Sequence, residues 1–169
     1  EWFFGDQADK FRFAHLQEAL TFVPFGVAVD EFQHICYAHP ELTPKERTHQ
    51  WHLLEEKYMP WRRYNNDAFM ERGGYWYHKL HIYLYPFYYI NYTLTTMGAM
   101  EFKKKYAENK QATWQDYLNL CKTGGSRSYL ETLRYANLVN PFEAGSVRRA
   151  CGYAAEILLG QIAGQPASE

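Results

Sequence analysis

Residues 9–39 read DKFRFAHLQEALTFVPFGVAVDEFQHICYAH, and their apolar side chains recur at intervals of three and four residues. This spacing puts them on one face of an α-helix, which repeats about every 3.6 residues. The pattern therefore predicts one long amphipathic helix, or two. A kink or short break is expected at Pro24 and Gly26, because proline removes a backbone donor and clashes with the preceding turn.

Capping signals mark two more helix starts. Residues 43–46, TPKE, combine Thr43 as the N-cap, a proline at the first helical position and a glutamate three residues after the cap. This helix should run to about Tyr58. Residues 128–131, SYLE, form the same kind of capping box and predict another helix.

Spacing and turn residues predict further helices. Residues 87–106 have helical spacing and little charge, which predicts a mostly buried helix with Pro86 in its first turn. Another helix should open at Thr113 and end at the glycine pair 124–125, since glycine is common just past a helix end. A last helix should cover about 142–159.

The fold class that these patterns predict is all-α. No segment alternates apolar and polar residues long enough to indicate a substantial sheet. We expect one helical domain over residues 1–159 and a frayed tail over 160–169, where the sequence is small and polar. The chain opens without a methionine and inside an apolar run, as a piece of a longer polypeptide would.

Composition and charge exclude several classes of partner. The formal net charge is −1 and the basic residues are scattered, so nucleic acid and anionic membranes are not expected partners. The apolar stretches are too short to span a bilayer. Cys36, Cys121 and Cys151 form no Cys-x-x-Cys pair, which favours a reducing, cytoplasmic setting.

The histidines make a metal site the first chemistry to test. The motif His-Glu-x-x-His does not occur in the chain. That motif binds zinc because two histidines one helical turn apart meet the same ion while the glutamate activates its water. His49 with His52 and His78 with His81 have one-turn spacing, but no carboxylate between them is placed to act as a base. We therefore expect no metal site in this chain.

Tyrosines are concentrated in residues 78–93, HKLHIYLYPFYYINYT. If this stretch is helical, Tyr85, Tyr89 and Tyr92 share one face, because they are spaced by four and three residues. Phenols and the imidazole of His81 are hydrogen-bond donors, which an oxyanion forming at a carbonyl requires. The same pattern also fits an aromatic core stripe, and the residues alone leave both interpretations open.

A family resemblance is carried by four segments: residues 16–40, 71–74 (ERGG), 81–93 and 120–126 (LCKTGGS). The most specific phrase is VAVDEFQH at 27–34, which is followed later by a Phe-Tyr-Tyr block. Together they resemble the C-terminal region of the oligoendopeptidase F family of zinc metallopeptidases, with the thimet oligopeptidases as more distant relatives. The likeness covers nearly the whole chain, up to about Leu159.

The resemblance implies the helical C-terminal half of a zincin-type endopeptidase that hydrolyses short peptides in a deep channel. In that family the zinc is held by a His-Glu-x-x-His helix and by a glutamate on the next helix, which would lie upstream of Glu1. This chain would then bind no zinc and would be inactive by itself. Its partners would be short peptides and the upstream zinc-binding part of the same enzyme.

The resemblance also implies roles for single residues. His81 and Tyr92 would hold the substrate carbonyl and its oxyanion, with Tyr89 and Tyr85 as companions. Four further candidates for substrate binding are Tyr83, Tyr88, Gly124 and Gly125. Residues 83–86, YLYP, replace the glycine-rich loop of the thimet branch, which argues against a flexible tyrosine that closes on substrate. Tyr83 and Tyr85 compete for that place.

Two alternatives remain open. The glycine pair and Ser126 also fit a plain helix stop followed by the next cap. The missing His-Glu-x-x-His motif favours a stand-alone helical module that binds peptides or a protein without catalysis. If the chain is instead part of the peptidase, its tyrosine-bearing helix lacks a natural cover by itself, and self-association is expected.

Overall fold

The computed structural model describes residues 2–163, apart from the side chains of 161–163, and it confirms the all-α class. No strand occurs in this range. The α-helices are α1 (Ala8–Ala38), α2 (Pro44–Tyr58), α3 (Ala68–Glu71), α4 (Leu80–Leu84), α5 (Ile90–Glu108), α6 (Lys110–Thr123), α7 (Tyr129–Tyr135) and α8 (Ser146–Ala163). Short 3-10 helices lie at Gly5–Gln7 and Gly74–His78. Within the same residues, no helix is long and apolar enough to cross a membrane.

Helix α1 runs through Pro24 without interruption, so the short break considered there does not occur. A proline inside a helix costs about 3 kcal/mol, because it removes a hydrogen bond and crowds the preceding turn. Around Pro24, however, the side chains of Val23, Phe25 and Val29 are buried. Each burial contributes roughly 1.5–3 kcal/mol, so packing outweighs the cost of the proline.

Helix α5 begins at Ile90, three residues later than expected. Phe87 has a φ of +58°, in the left-handed region, and cannot belong to a right-handed helix. Pro86 therefore lies in a turn and not in the first turn of the helix. The expectation of a mostly buried helix is also wrong, because α5 has buried residues such as Met97 and exposed ones such as Tyr92.

Side-chain caps define the starts of several helices, among them α2, α6 and α7. In α2, Thr43 and Glu46 form the expected capping box, with the side chain of Thr43 accepting from the N–H of Glu46 at 3.3 Å. The expected box at the start of α7 is also present. Helix α6 begins at Lys110 and not at Thr113, because the side chain of Asn109 caps it three residues earlier.

Helix α8 also starts later and runs further than expected. It begins at Ser146 instead of residue 142, after a turn in which Gly145 has a φ of +77°. It continues to Ala163, four residues past the expected end of the helix, and most of the predicted tail (160–169) lies outside the described residues. Residues 164–169 lie outside the described range.

The chain forms two compact units, and α1 and α5 contribute residues to both. The central unit consists of residues 21–93, and the terminal unit consists of the residues up to 20 together with those from 94 onward. The core of the central unit contains Phe25, Ala28, Val29, Phe32, Trp51, Leu54, Met59, Trp76 and Tyr89. In the terminal unit, one cluster contains Leu133, Ala136 and Leu138 with Phe102 and Leu120 against it.

Candidate functional site

Four tyrosine rings surround the imidazole of His81 in the central unit. Their centroids lie 5.7 Å (Tyr85), 6.5 Å (Tyr88), 5.1 Å (Tyr89) and 5.7 Å (Tyr92) from that of His81. The rings of Tyr88 and Tyr89 also lie 5.5 and 5.4 Å from that of Tyr92. These five residues, here called the His81 cluster, all belong to the set of site residues predicted from the sequence.

A turn between two helices builds the cluster. Helix α4 ends just before Tyr85, whose N–H donates to the carbonyl of His81 at 3.0 Å. The N–H of Tyr88 then donates to the carbonyl of Tyr85 at 3.2 Å, and α5 begins two residues later. Tyr85, Tyr89 and Tyr92 therefore do not share one helical face, contrary to expectation, because only Tyr92 lies within a helix, whereas Tyr85 and Tyr89 lie in the turn between α4 and α5.

The His81 cluster has a buried base and an exposed rim. Tyr89 is only 6% exposed, and its ring lies 5.9 Å from the core ring of Phe25. Tyr92, Tyr88 and Tyr85 are 39%, 47% and 51% exposed. Tyr89 therefore supports the imidazole from the core side, whereas the other three phenols are accessible to a ligand.

The surroundings of Tyr92 keep its phenol protonated. Burial raises the pKa of Tyr92 above its ordinary value of about 10, and the phenols of Tyr88 and Tyr85 add to that effect. Tyr88 also forms a side-chain hydrogen bond with Tyr92. Because a protonated phenol is a hydrogen-bond donor, Tyr92 can donate throughout the neutral pH range.

Tyr83 lies apart from the His81 cluster. Its ring stacks on Trp76 with a centroid distance of 5.7 Å. It lines a separate cleft of about 350 Å³, together with residues that include Gln33. Of the two tyrosines that competed for a place in the site, Tyr85 is the one beside His81.

Gly124 and Gly125 lie in the terminal unit, at the end of α6. Their φ angles are +49° and +81°, in the left-handed region where residues with a Cβ are strained. Gly124 is the C-cap of α6, as the interpretation of a plain helix stop requires. A Cβ at either position would meet no described atom within 4 Å, so backbone conformation alone accounts for both glycines.

The described residues do not fit a zinc site. Nδ1 of His78 lies 2.6 Å from the carbonyl oxygen of Tyr75, and tyrosine rings surround His81. In residues 2–163, no group of three histidine, cysteine, aspartate or glutamate side chains is arranged to hold a metal ion. The zinc that the family resemblance implies therefore finds no ligand set in this part of the chain.

One residue that contacts the site segment, Gln33, was not singled out as a site residue in the sequence. Gln33 on α1 is 1% exposed, and its side chain is hydrogen bonded to backbone groups of Ile82 and Phe87. Phe87 is the residue with the left-handed backbone. The sequence does contain a signal for Gln33, because it lies on the apolar face of α1, one turn after Val29. A glutamine at such a position is expected to be buried, and a buried amide requires specific hydrogen-bond partners.

Comparison with known proteins gives matches to solved structures. A scan against models of protein families found no matching family, and a search of curated proteins found no matching protein. PZ peptidase A, determined with an inhibitor, is 46% identical with a TM-score of 0.87 over 93% of this chain and 28% of its own. A structure described as oligoendopeptidase F is 48% identical, with a TM-score of 0.86 over 92% and 27%. An oligoendopeptidase F from Bacillus anthracis strain Ames is 40% identical, with a TM-score of 0.72 over 92% and 24%.

These similarities extend over nearly all of the present chain. The chain spans only about a quarter of the length of each protein it matches. Identities of 40–48%, together with a shared helical arrangement, confirm the resemblance that residues 27–34 and the tyrosine block carry. In sequence and in helical arrangement the chain therefore matches a C-terminal fragment of the oligoendopeptidase F and PZ peptidase structures.

Proposed function

We propose that this chain forms the substrate-carbonyl side of the active site in a zinc-dependent oligoendopeptidase that hydrolyses short peptides. The His81 cluster is the observation that carries the proposal. It combines one imidazole with three partly exposed phenols in the central unit. Peptide substrates are supported by the family match, since the similar structures are peptidases.

Packing alone explains Tyr89 but not its three neighbours. A core stripe buries its rings, because burial contributes about 25 cal/mol for each Å² of apolar surface removed from water. Tyr85, Tyr88 and Tyr92 leave 51%, 47% and 39% of their surface exposed. Adjacent aromatic rings that remain exposed are typical of a surface that another group covers, such as a substrate or a further part of the protein.

In the proposed reaction, residues of this chain act on the substrate carbonyl. Negative charge develops on the carbonyl oxygen as the peptide bond is attacked, and donors already in position stabilise that charge. We assign His81 and Tyr92 as these donors. Tyr88 orients the hydroxyl of Tyr92 through their hydrogen bond, and Tyr85 lies at the rim, where flanking peptide would bind.

The zinc ion belongs to the proposal only as the resemblance implies it. The described residues offer no ligand set, so residues outside this chain would have to hold the ion. What this chain contributes is therefore binding, orientation and hydrogen-bond donation, and each of these can be altered without changing a metal ligand.

Tyr92→Phe tests the assignment in the intact peptidase, because it removes one hydroxyl and keeps the ring. The kcat for a short peptide should fall about 100- to 1,000-fold with KM nearly unchanged, since the hydrogen bond forms mainly in the transition state. Tyr135→Phe is the matched control. Tyr135 is 42% exposed in the terminal unit, with its ring against Arg127, and this variant should keep wild-type turnover.

Turnover close to wild type in Tyr92→Phe would exclude Tyr92 from the oxyanion role, and a lower melting temperature of the same protein would indicate packing instead.

The second candidate function is a non-catalytic helical module that binds peptides or a protein, which the lack of a His-Glu-x-x-His motif in these 169 residues favours. The native polypeptide discriminates between the two. If the native polypeptide contains a His-Glu-x-x-His motif upstream of these residues, the peptidase is supported. If it contains no such motif, the binding module is supported.

A further inference from the structure

A buried side-chain amide of α1 holds the turn that precedes α5. Gln33 is 1% exposed. Its Oε1 accepts from the N–H of Phe87 at 3.2 Å, and its Nε2 donates to the carbonyl of Ile82 at 3.4 Å. Gln33 therefore bridges two points of segment 82–87, which lie 49 and 54 residues further along the chain. This segment connects His81 to the tyrosines of the cluster.

Phe87 shows that the segment is held in an unusual conformation. Its φ of +58° lies in the left-handed region, which residues with a Cβ rarely adopt. Its ring packs on α1, with centroids 4.7 Å from His34 and 4.9 Å from Tyr37. Residues 33–37 of α1 therefore hold Phe87 by its backbone and by its ring.

Because Gln33 is buried, losing its hydrogen bonds would be energetically costly. A buried amide has lost its contacts with water, so it is tolerated only when protein groups replace them. An apolar side chain of similar length would fill the same space without that requirement. The presence of a glutamine is therefore explained by what its partners need, namely an acceptor for the N–H of Phe87 and a donor for the carbonyl of Ile82.

We propose that Gln33 is a positioning residue for the His81 cluster. Its two hydrogen bonds hold segment 82–87 in the conformation that sets Tyr88 and Tyr92 around the imidazole. The inference rests on the proposed function and deepens it, because it makes the donor site rigid before substrate binds. Donors that are already in place stabilise an oxyanion without reorganisation, unlike a loop that closes on the substrate.

Gln33→Met in the intact peptidase removes both hydrogen bonds and keeps a side chain of similar length. The kcat for a short peptide should fall about 10- to 100-fold with little change in KM, because a displacement of about 1 Å misaligns catalytic groups. Gln33→Glu buries a carboxylate oxygen against the carbonyl of Ile82 in place of the donor. Its kcat should fall at least as far as that of Gln33→Met.

Leu54→Ala is the matched control for a general loss of stability. Leu54 on α2 is 4% exposed and belongs to the core of the central unit, but it lies outside segment 82–87. All variants are assayed well below their melting temperatures. Amide hydrogen exchange of residues 82–89 supplies a readout that does not depend on turnover. It should accelerate about tenfold in Gln33→Met and stay at the wild-type rate in Leu54→Ala.

Faster exchange together with a lower kcat in Gln33→Met supports the proposal. Wild-type exchange in that variant overturns it, and so does an equal loss of turnover in Leu54→Ala. Faster exchange with unchanged turnover also overturns the positioning role. If Gln33→Met does not fold, Gln33→Leu, which also removes both hydrogen bonds with a smaller apolar side chain, takes its place in the same comparison. Failure of the proposed function is visible separately, because Tyr92→Phe would then retain wild-type turnover.

Discussion

At the scale of single residues, the contact between Gly26 on α1 and Thr93 on α5 shows how closely the central unit is packed. Both residues are buried. A Cβ on Gly26 would lie 1.8 Å from Oγ1 of Thr93 and 3.2 Å from its Cβ. Glycine inside a helix costs about 1 kcal/mol relative to alanine. Glycine is nevertheless the residue that fits here, because a Cβ at position 26 would require Thr93 or the helices to move.

Gly26→Ala should therefore lower the free energy of unfolding by about 1–3 kcal/mol, although alanine favours helix formation more than glycine does. The clash is with the side chain of Thr93, whose hydroxyl has no hydrogen-bond partner among the described residues. Adding Thr93→Ala should recover part of the loss, so the double variant should be more stable than the two single effects predict. Urea denaturation measures all three, and simple additivity would contradict the contact.

At the scale of whole helices, glycine has opposite consequences at a helix end and in a helix interior. Gly124 caps α6 with a φ of +49°. Gly152 lies inside α8 and is not among the glycines with positive φ. A Cβ at either position would meet no described atom within 4 Å, so a comparison of the two isolates the effect of backbone conformation.

Gly124→Ala should lower the free energy of unfolding by about 1 kcal/mol, because alanine is strained in the left-handed region. Gly152→Ala should raise it by about 0.5–1 kcal/mol, since alanine is the better helix former. Thermal denaturation of both variants checks the opposite signs. If the proposed peptidase function holds, a several-fold higher KM for Gly124→Ala with unchanged stability would contradict the cap and restore the substrate-binding role.

The start of α5 shows a limit of local patterns at the same scale. Helical spacing begins at Phe87, but the left-handed backbone of that residue delays the helix to Ile90. The contacts that accompany this conformation come from α1, whose Gln33 accepts from the N–H of Phe87 at 3.2 Å. A partner 54 residues away leaves no trace in the spacing of residues 87–106.

At the scale of the whole molecule, apolar side chains remain exposed beside the His81 cluster. Leu80 and Leu84 are 59% and 58% exposed and lie on α4, the helix that carries His81. Exposed apolar side chains of this kind favour contact with other protein surface, because association removes them from water. The isolated chain has its own copies as the available partners.

We therefore expect the isolated chain to self-associate at high concentration, as measured by sedimentation. The double change Leu80→Glu and Leu84→Glu should shift it towards the monomer, because burying two carboxylates opposes association. Leu159→Glu is the control, since Leu159 is 66% exposed on α8 in the terminal unit and should leave association unchanged. A clean monomer of the unmodified chain that binds no dye for apolar surface would contradict the expectation.

The sequence was sufficient for the fold class, for the capping boxes and for the family. A helical period and a cap such as that of Thr43 with Glu46 depend on residues three or four positions apart, so a short window contains all the partners. The family is carried by continuous phrases such as VAVDEFQH, and the identities with solved structures confirm it.

The arrangement of the candidate site needed contacts between distant parts of the chain. Spacing placed three tyrosines on one helix, whereas in the structure Tyr85 and Tyr89 lie in the turn around Phe87, only Tyr92 lies on α5, and all three rings pack around His81. Tyr83 stacks on Trp76, whereas Tyr85 lies beside the imidazole, and the sequence of residues 83–86 does not distinguish these two positions. The physical reason is that the turn is held by Gln33 from another helix, and such a contact exists only once the chain has folded.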